Sequence, residues 1–265
     1  MFDSRELSSS VAAVKDTYAP DAVVLDVESD FETLPPAIAE GLGIFVEGVA
    51  PASYPAEWLP SDVPSPLTRY ASSEFTIGMP GDGTVTWTRQ TTPPTILIKQ
   101  RAAGTPTQFL EFLIAEAIVQ IDTGAPEHFL PFFESAYTEL DSAIPLGSAD
   151  AYQVAAALYD AWVGLQTRSV FKSWEGTHPE VYDAWDDAGN RLDGRLKELP
   201  GAVARGETAF ADATEYACSA VKHDLELPTP FTALDTQAYL EYDAEYAVRW
   251  ARKTFEKLDE NENPL

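Results

Sequence analysis

An α+β fold is predicted, in which a small N-terminal mixed or antiparallel sheet packs on a predominantly helical C-terminal part. Two observations carry that reading. Eleven of the 20 prolines lie in residues 1–104, where apolar runs are short, rich in β-branched residues and repeatedly broken. From Thr105 onward, apolar residues recur at intervals of three and four, the period of an amphipathic helix. With 265 residues and 11% aromatics the chain has ample material for a core. The expected division is a β-rich, Pro-rich subdomain over 1–104 and a helical subdomain over 105–265. No linker is long enough to separate them, so one compact domain is expected.

Taken in order, Leu7–Tyr18 and Pro35–Leu42 read as helical pieces, and Ala22–Val27 and Ile44–Val46 as short buried strands. Pro51–Pro66 holds five prolines in an irregular segment whose Tyr54 and Trp58 are expected to pack down on the body. Glu74–Gly78, Thr84–Arg89 and Thr95–Lys99 read as a three-stranded meander, turned at Met79–Gly83 by glycines suited to positive φ. Pro93 and Pro94 must lie outside its ladder. Five strands would make one small sheet with helices on one face. Six helices follow over 106–121, 126–142, 148–174, 178–198, 207–225 and 235–258. Pro106, Pro126, Ser148, Thr177, Pro200 and Asp235 mark their limits, and Thr177 with Glu180 has the spacing of a capping box.

Charge excludes several functions. Seventeen Lys+Arg stand against 43 Asp+Glu, a formal net charge of -26 spread along the chain. A field of that sign repels nucleic-acid backbones and anionic lipid, so neither is an expected partner. Thirteen Phe, 6 Trp and 11 Tyr argue against a disordered acidic chain. Cys218 is the single cysteine, so no internal disulfide forms and a reducing compartment is expected. Met1–Glu6 carries acids where a signal peptide needs bases, and no apolar run reaches the ~20 residues of a membrane span. A cytoplasmic protein without metal or cofactor is the expectation.

Two groups of residues stand out as candidate sites. The helix Phe109–Gln120 is apolar nearly all round and places Glu116 between Phe109, Phe112 and Val119, where burial would raise a carboxyl toward a useful acid or base. The last helix carries Tyr239, Tyr242, Tyr246 and Trp250 at spacings of three and four, a contiguous aromatic stripe suited to a core or to a binding interface. His128, His178 and His223 lack a histidine at ligand spacing, and Asp183, Asp186 and Asp187 read as a solvated helix face. Cys218 reads as a buried structural cysteine.

Residues 95–120, a strand, the break Gly104-Thr105-Pro106 and a helix with Leu113-Ile114-Ala115-Glu116-Ala117-Ile118-Val119, resemble the active-site strand and helix of zincin metallopeptidases. The family pattern is His-Glu-x-x-His, and alignment on Glu116 puts Ala115 and Val119 where both histidines belong. That resemblance implies a degenerate, metal-free zincin scaffold. Over nearly its full length the chain is similar to an uncharacterised family of halophilic archaea, most visibly at residues 26–34, 52–60 and 153–162. The second resemblance implies a salt-rich habitat and brings no activity. The leading functional expectation is therefore a non-catalytic protein that binds a protein partner or itself. A hydrolase-like or pseudoenzyme scaffold centred on Glu116 is the alternative.

Overall fold

The computed structural model describes residues 2–31, 36–71, 75–78 and 83–262. They divide into two compact units. The first comprises Met1–Tyr54, Ser65–Glu127 and Ser169–Asp186; the second comprises Pro55–Pro64, His128–Arg168 and Asp187–Leu265. The architecture is α+β, with all the described strands in the first unit.

In the first unit, β1 (Phe2–Ser4), β2 (Val23–Val27), β4 (Val85–Thr88) and β6 (Thr95–Ile98) form a mixed sheet of order β1-β2-β6-β4. β1 runs antiparallel to β2, β2 parallel to β6, and β4 antiparallel to β6. Strand alternation sends Val24, Ile96, Ile98 and Trp87 to one face, where α1 (Ser9–Tyr18) and α3 (Thr107–Thr123) cover them. Ser8 caps α1 by accepting from the Val11 amide at 3.4 Å, and Gly124, at φ 74, ends α3 in the left-handed conformation that glycine adopts without strain. Phe2, Leu25, Val27 and Leu97 point to the opposite face, beneath Leu42, Phe75 and Ile77. Both faces are thus buried, where helices on one face alone were expected.

Three strand expectations need correction. Ile44 ends a 3-10 turn, Glu40–Ile44, that follows the short helix α2 (Pro36–Ala39). Ile44 is 79% exposed, because Leu42 is the residue this turn buries; the strand comes later, as β3 (Gly48–Val49). Phe75–Ile77 is buried without joining a ladder, while Glu74 and Met79–Asp82 of the expected strand and turn lie outside the described residues. The meander is replaced by a split: β5 (Thr91–Thr92) leaves the four-stranded sheet to pair with β3.

The second unit is helical. The stretch expected as one helix over 126–142 is two, α4 (Phe129–Phe133) and α5 (Ala136–Ala143), separated by Glu134 at φ 50. Phe129, Leu130, Phe132 and Phe133 are all buried, more than one helical stripe can hide, so the chain turns to aim α5 elsewhere. α6 (Ser148–Ser173) and α7 (Pro179–Ala204) are long, and the end of α6 from Ser169 and the start of α7 to Asp186 belong to the first unit; α7 runs through Pro200, beyond the expected end at 198, at the cost of one backbone donor. The Thr177 hydroxyl donates back to the Ser173 carbonyl at 3.3 Å, and α7 starts two residues later, at Pro179. α8 (Phe210–Val221) and α9 (Gln237–Glu262) complete the unit.

Candidate functional site

The site grows from α9. The Thr236 hydroxyl accepts from the Tyr239 amide at 3.2 Å and starts the helix, and a non-helical residue, Asp243 at φ 36, kinks it one turn later. Beyond the kink, Ala244, Ala247, Val248, Ala251 and Phe255 are buried, and α9 packs on α5 and α4 while Phe255 meets the Phe210 ring of α8. On the other side a cleft of about 820 Å³ opens between α9 and the loop Thr229–Ala233. Its volume lies within the range of ligand pockets.

Aromatic rings line this cleft with their polar ends already engaged. The Tyr246 hydroxyl donates to the Ala233 carbonyl at 2.9 Å, and the Trp250 indole N–H to the Pro230 carbonyl at 3.1 Å. Each bond ties α9 to the loop opposite and removes the polar tip of the side chain from contact with a ligand. The loop is held in turn from α6, where Arg168 pairs with Asp224 at 3.1 Å and with Asp235 at 2.5 Å.

Three cations join the rings: Arg249, Lys253 and Lys257 line the cleft, and among the described residues no carboxylate does. The Arg249 guanidinium lies 5.6 Å from the Tyr242 ring centroid and 6.0 Å from that of Tyr246, within cation–π range. Its contact with Glu245 is long, 3.8 Å, and exposed on both sides, so it contributes little. Lys253 and Lys257 are exposed and, among the described residues, without an ion-pair partner. A smaller cavity, about 410 Å³, has the opposite character: Glu207, Asp212 and Glu215 line it, and the Gln153 amide donates to the last two.

Of the sequence-predicted binding residues, Tyr242, Tyr246 and Trp250 meet in the cleft. Tyr239 does not: it is fully buried, stacks on Tyr246 with centroids 5.4 Å apart and donates its hydroxyl to the Leu158 carbonyl at 2.6 Å. Arg249, Lys253 and Lys257 went unremarked in the sequence, although the signal was there: four of its 17 bases fall in residues 249–257.

Glu116 sits on α3 in the first unit and is 7% exposed, and it lines neither of the two cavities described. Catalysis there would need a path for substrate to a nearly covered carboxyl. Cys218 is 1% exposed, and burial pushes its thiol well up, as befits a structural cysteine. Among the described residues, no three of His, Cys, Asp and Glu come together to hold a metal ion, and Asp183, Asp186 and Asp187 are exposed on α7. No helix among those residues is long and apolar enough to cross a membrane.

The sequence model described as a family of unknown function, DUF7089, matches residues 1–258, and the chain belongs to that family. No curated protein and no solved structure matches it.

Proposed function

We propose that this member of DUF7089 is a non-catalytic cytoplasmic binding protein of a salt-rich cell, and that the α9 cleft is where it holds a protein partner. One observation carries the reading: a chain of net charge -26 keeps three bases and, among the described residues, no carboxylate along the cleft, beside two anchored aromatic rings. Solubility in salt explains acids everywhere; it does not explain a place from which they are missing. Aromatic residues and arginine are also the side chains that dominate binding energy at interfaces. The hydrolase-like alternative centred on Glu116 draws no comparable support from a carboxyl that is 7% exposed.

The test places a photo-cross-linking amino acid at Tyr242, on the cleft, and at Arg191, exposed on α7, in cells grown at high salt. The expected result is a discrete protein adduct, another chain or a second copy, from position 242 alone. Adducts confined to nucleic acid or small molecules, or identical bands from both positions, would overturn the reading.

A further inference from the structure

The cleft also carries information about its occupant, on the premise that it is the binding surface proposed above. We infer that the occupant is an acidic peptide segment in extended conformation, with a row of carboxylates framed by apolar side chains.

The spacing of the bases leads there. Arg249, Lys253 and Lys257 follow one another at four-residue intervals, on one face of α9, so their Cα atoms step by about 6 Å and span about 12 Å. An extended chain carries every second side chain on one face, about 6.7 Å apart. Acids at alternate positions of such a segment therefore stay in register with all three bases, and the small drift is absorbed by the flexible lysine stems. A single phosphate or carboxylate group would be served instead by donors converging on one point, and these charges are strung out in a line.

The ends of the row are apolar. Two of the six large apolar side chains exposed among the described residues, Tyr242 at 54% and Leu258 at 37%, stand toward the two ends of the α9 wall. An occupant with apolar residues outside its acids would cover both. A single-stranded nucleic acid also repeats a charge along its length, but it binds by stacking bases on open ring faces. Trp250 is 5% exposed and Arg249 already lies over one face each of Tyr242 and Tyr246, so little open ring remains for a run of stacked bases. A strand longer than the row would also run onto the acidic surface around it.

Calorimetry with the full chain in molar KCl tests this, using the capped heptapeptide Leu-Glu-Ala-Glu-Ala-Glu-Leu, its Gln-for-Glu counterpart and a hexameric oligothymidylate. The Glu peptide is expected to bind at least tenfold more tightly than the Gln peptide, and to lose about tenfold in the Lys253→Gln/Lys257→Gln variant. Both lysines are exposed, so that variant should keep the native melting temperature. Equal binding of the two peptides, no binding of the Glu peptide up to millimolar concentration, or tighter binding of the oligonucleotide overturns the inference. Should the cross-link at position 242 persist while the Glu peptide fails, the cleft remains a protein-binding surface and only the acidic occupant is lost; failure of both removes the surface as well.

Discussion

The Thr88 hydroxyl lies 3.0 and 2.9 Å from the two carboxylate oxygens of Glu127, thirty-nine residues on. The same carboxylate accepts from the Arg89 amide at 2.6 Å and from the Gln90 side chain at 3.0 Å, and Gln90 reaches on to the Thr76 carbonyl. One half-buried acid thereby fastens the end of β4 to the segment after α3. The charge is felt nearby: burial, with Glu127 adding to it, pushes the Tyr54 phenol up to about 12.

Glu127→Ala leaves these donors without their acceptor, and the expected loss is about 3 kcal/mol, since charged hydrogen bonds count for more than neutral ones. Thr88→Val, which removes one donor and keeps the carboxylate, should cost about 1 kcal/mol. Urea unfolding of both variants checks the order; equal losses would mean that Glu127 is not the hub.

His128 gives a pH signature. Its ring is buried and its Nδ1 accepts from the Leu130 amide at 3.2 Å, and burial holds its pKa down to about 3, against 6.5 for a free side chain. Above pH 6.5 both folded and unfolded chains keep the ring neutral and its contribution is complete. Below that the unfolded chain takes up a proton the folded one refuses, so stability falls by up to about 1.4 kcal/mol per pH unit until the folded ring also titrates near 3. His128→Asn keeps a capping oxygen and does not titrate. Between pH 6.5 and 4 the native chain should lose about 3 kcal/mol more than the variant, measured by denaturant titration at each pH.

Two glycines should respond oppositely to alanine. A Cβ on Gly164 in α6 would stand 2.9 Å from the Lys222 backbone nitrogen, whereas one on Gly194 in α7 would meet nothing within 4 Å. Gly164→Ala is expected to destabilise by about 1–2 kcal/mol, the clash outweighing the helical gain, and Gly194→Ala to stabilise by up to about 1 kcal/mol. Thermal melts of the pair decide it.

With a net charge of -26, the folded chain repels itself wherever counter-ions are scarce. Lowering KCl from molar to tens of millimolar stretches the screening length from about 3 Å to well beyond 10 Å, and the melting temperature should fall steadily. A flat or rising curve would remove the salt-rich habitat from the proposed function.

Local patterns were the legible ones. β2, β4, β6 and α3 follow from β-branched runs and helical spacing, because each is settled by its own residues. Pairing was not legible: β2 meets β6 in parallel, Val23 opposite Thr95, and nothing within either strand names a partner so distant. The aromatic stripe of α9 was visible from spacing, but its division was not. Tyr239 is buried by α6 through Leu158, while Tyr242 is left exposed beside the kink at Asp243. The loop wall of the cleft is set by Arg168, a residue of α6 far from it in sequence.

The order in which the two units acquire their residues bears on how the protein is made. The last residue of the first unit is Asp186, so on the ribosome that unit has all its parts while residues 187–265 are still to come, an interval of about 4–16 s at ordinary elongation rates. The second unit begins with residues 55–64 and 128–168 and receives α9 at the end. Until α9 arrives, α4 and α5 lack the helix they pack against, and the cleft does not exist. Before α9 is made the chain carries the residues of the sheet unit together with a helical unit that lacks its α9 part, which makes this the window for chaperone engagement, and binding a property gained only once α9 has been added.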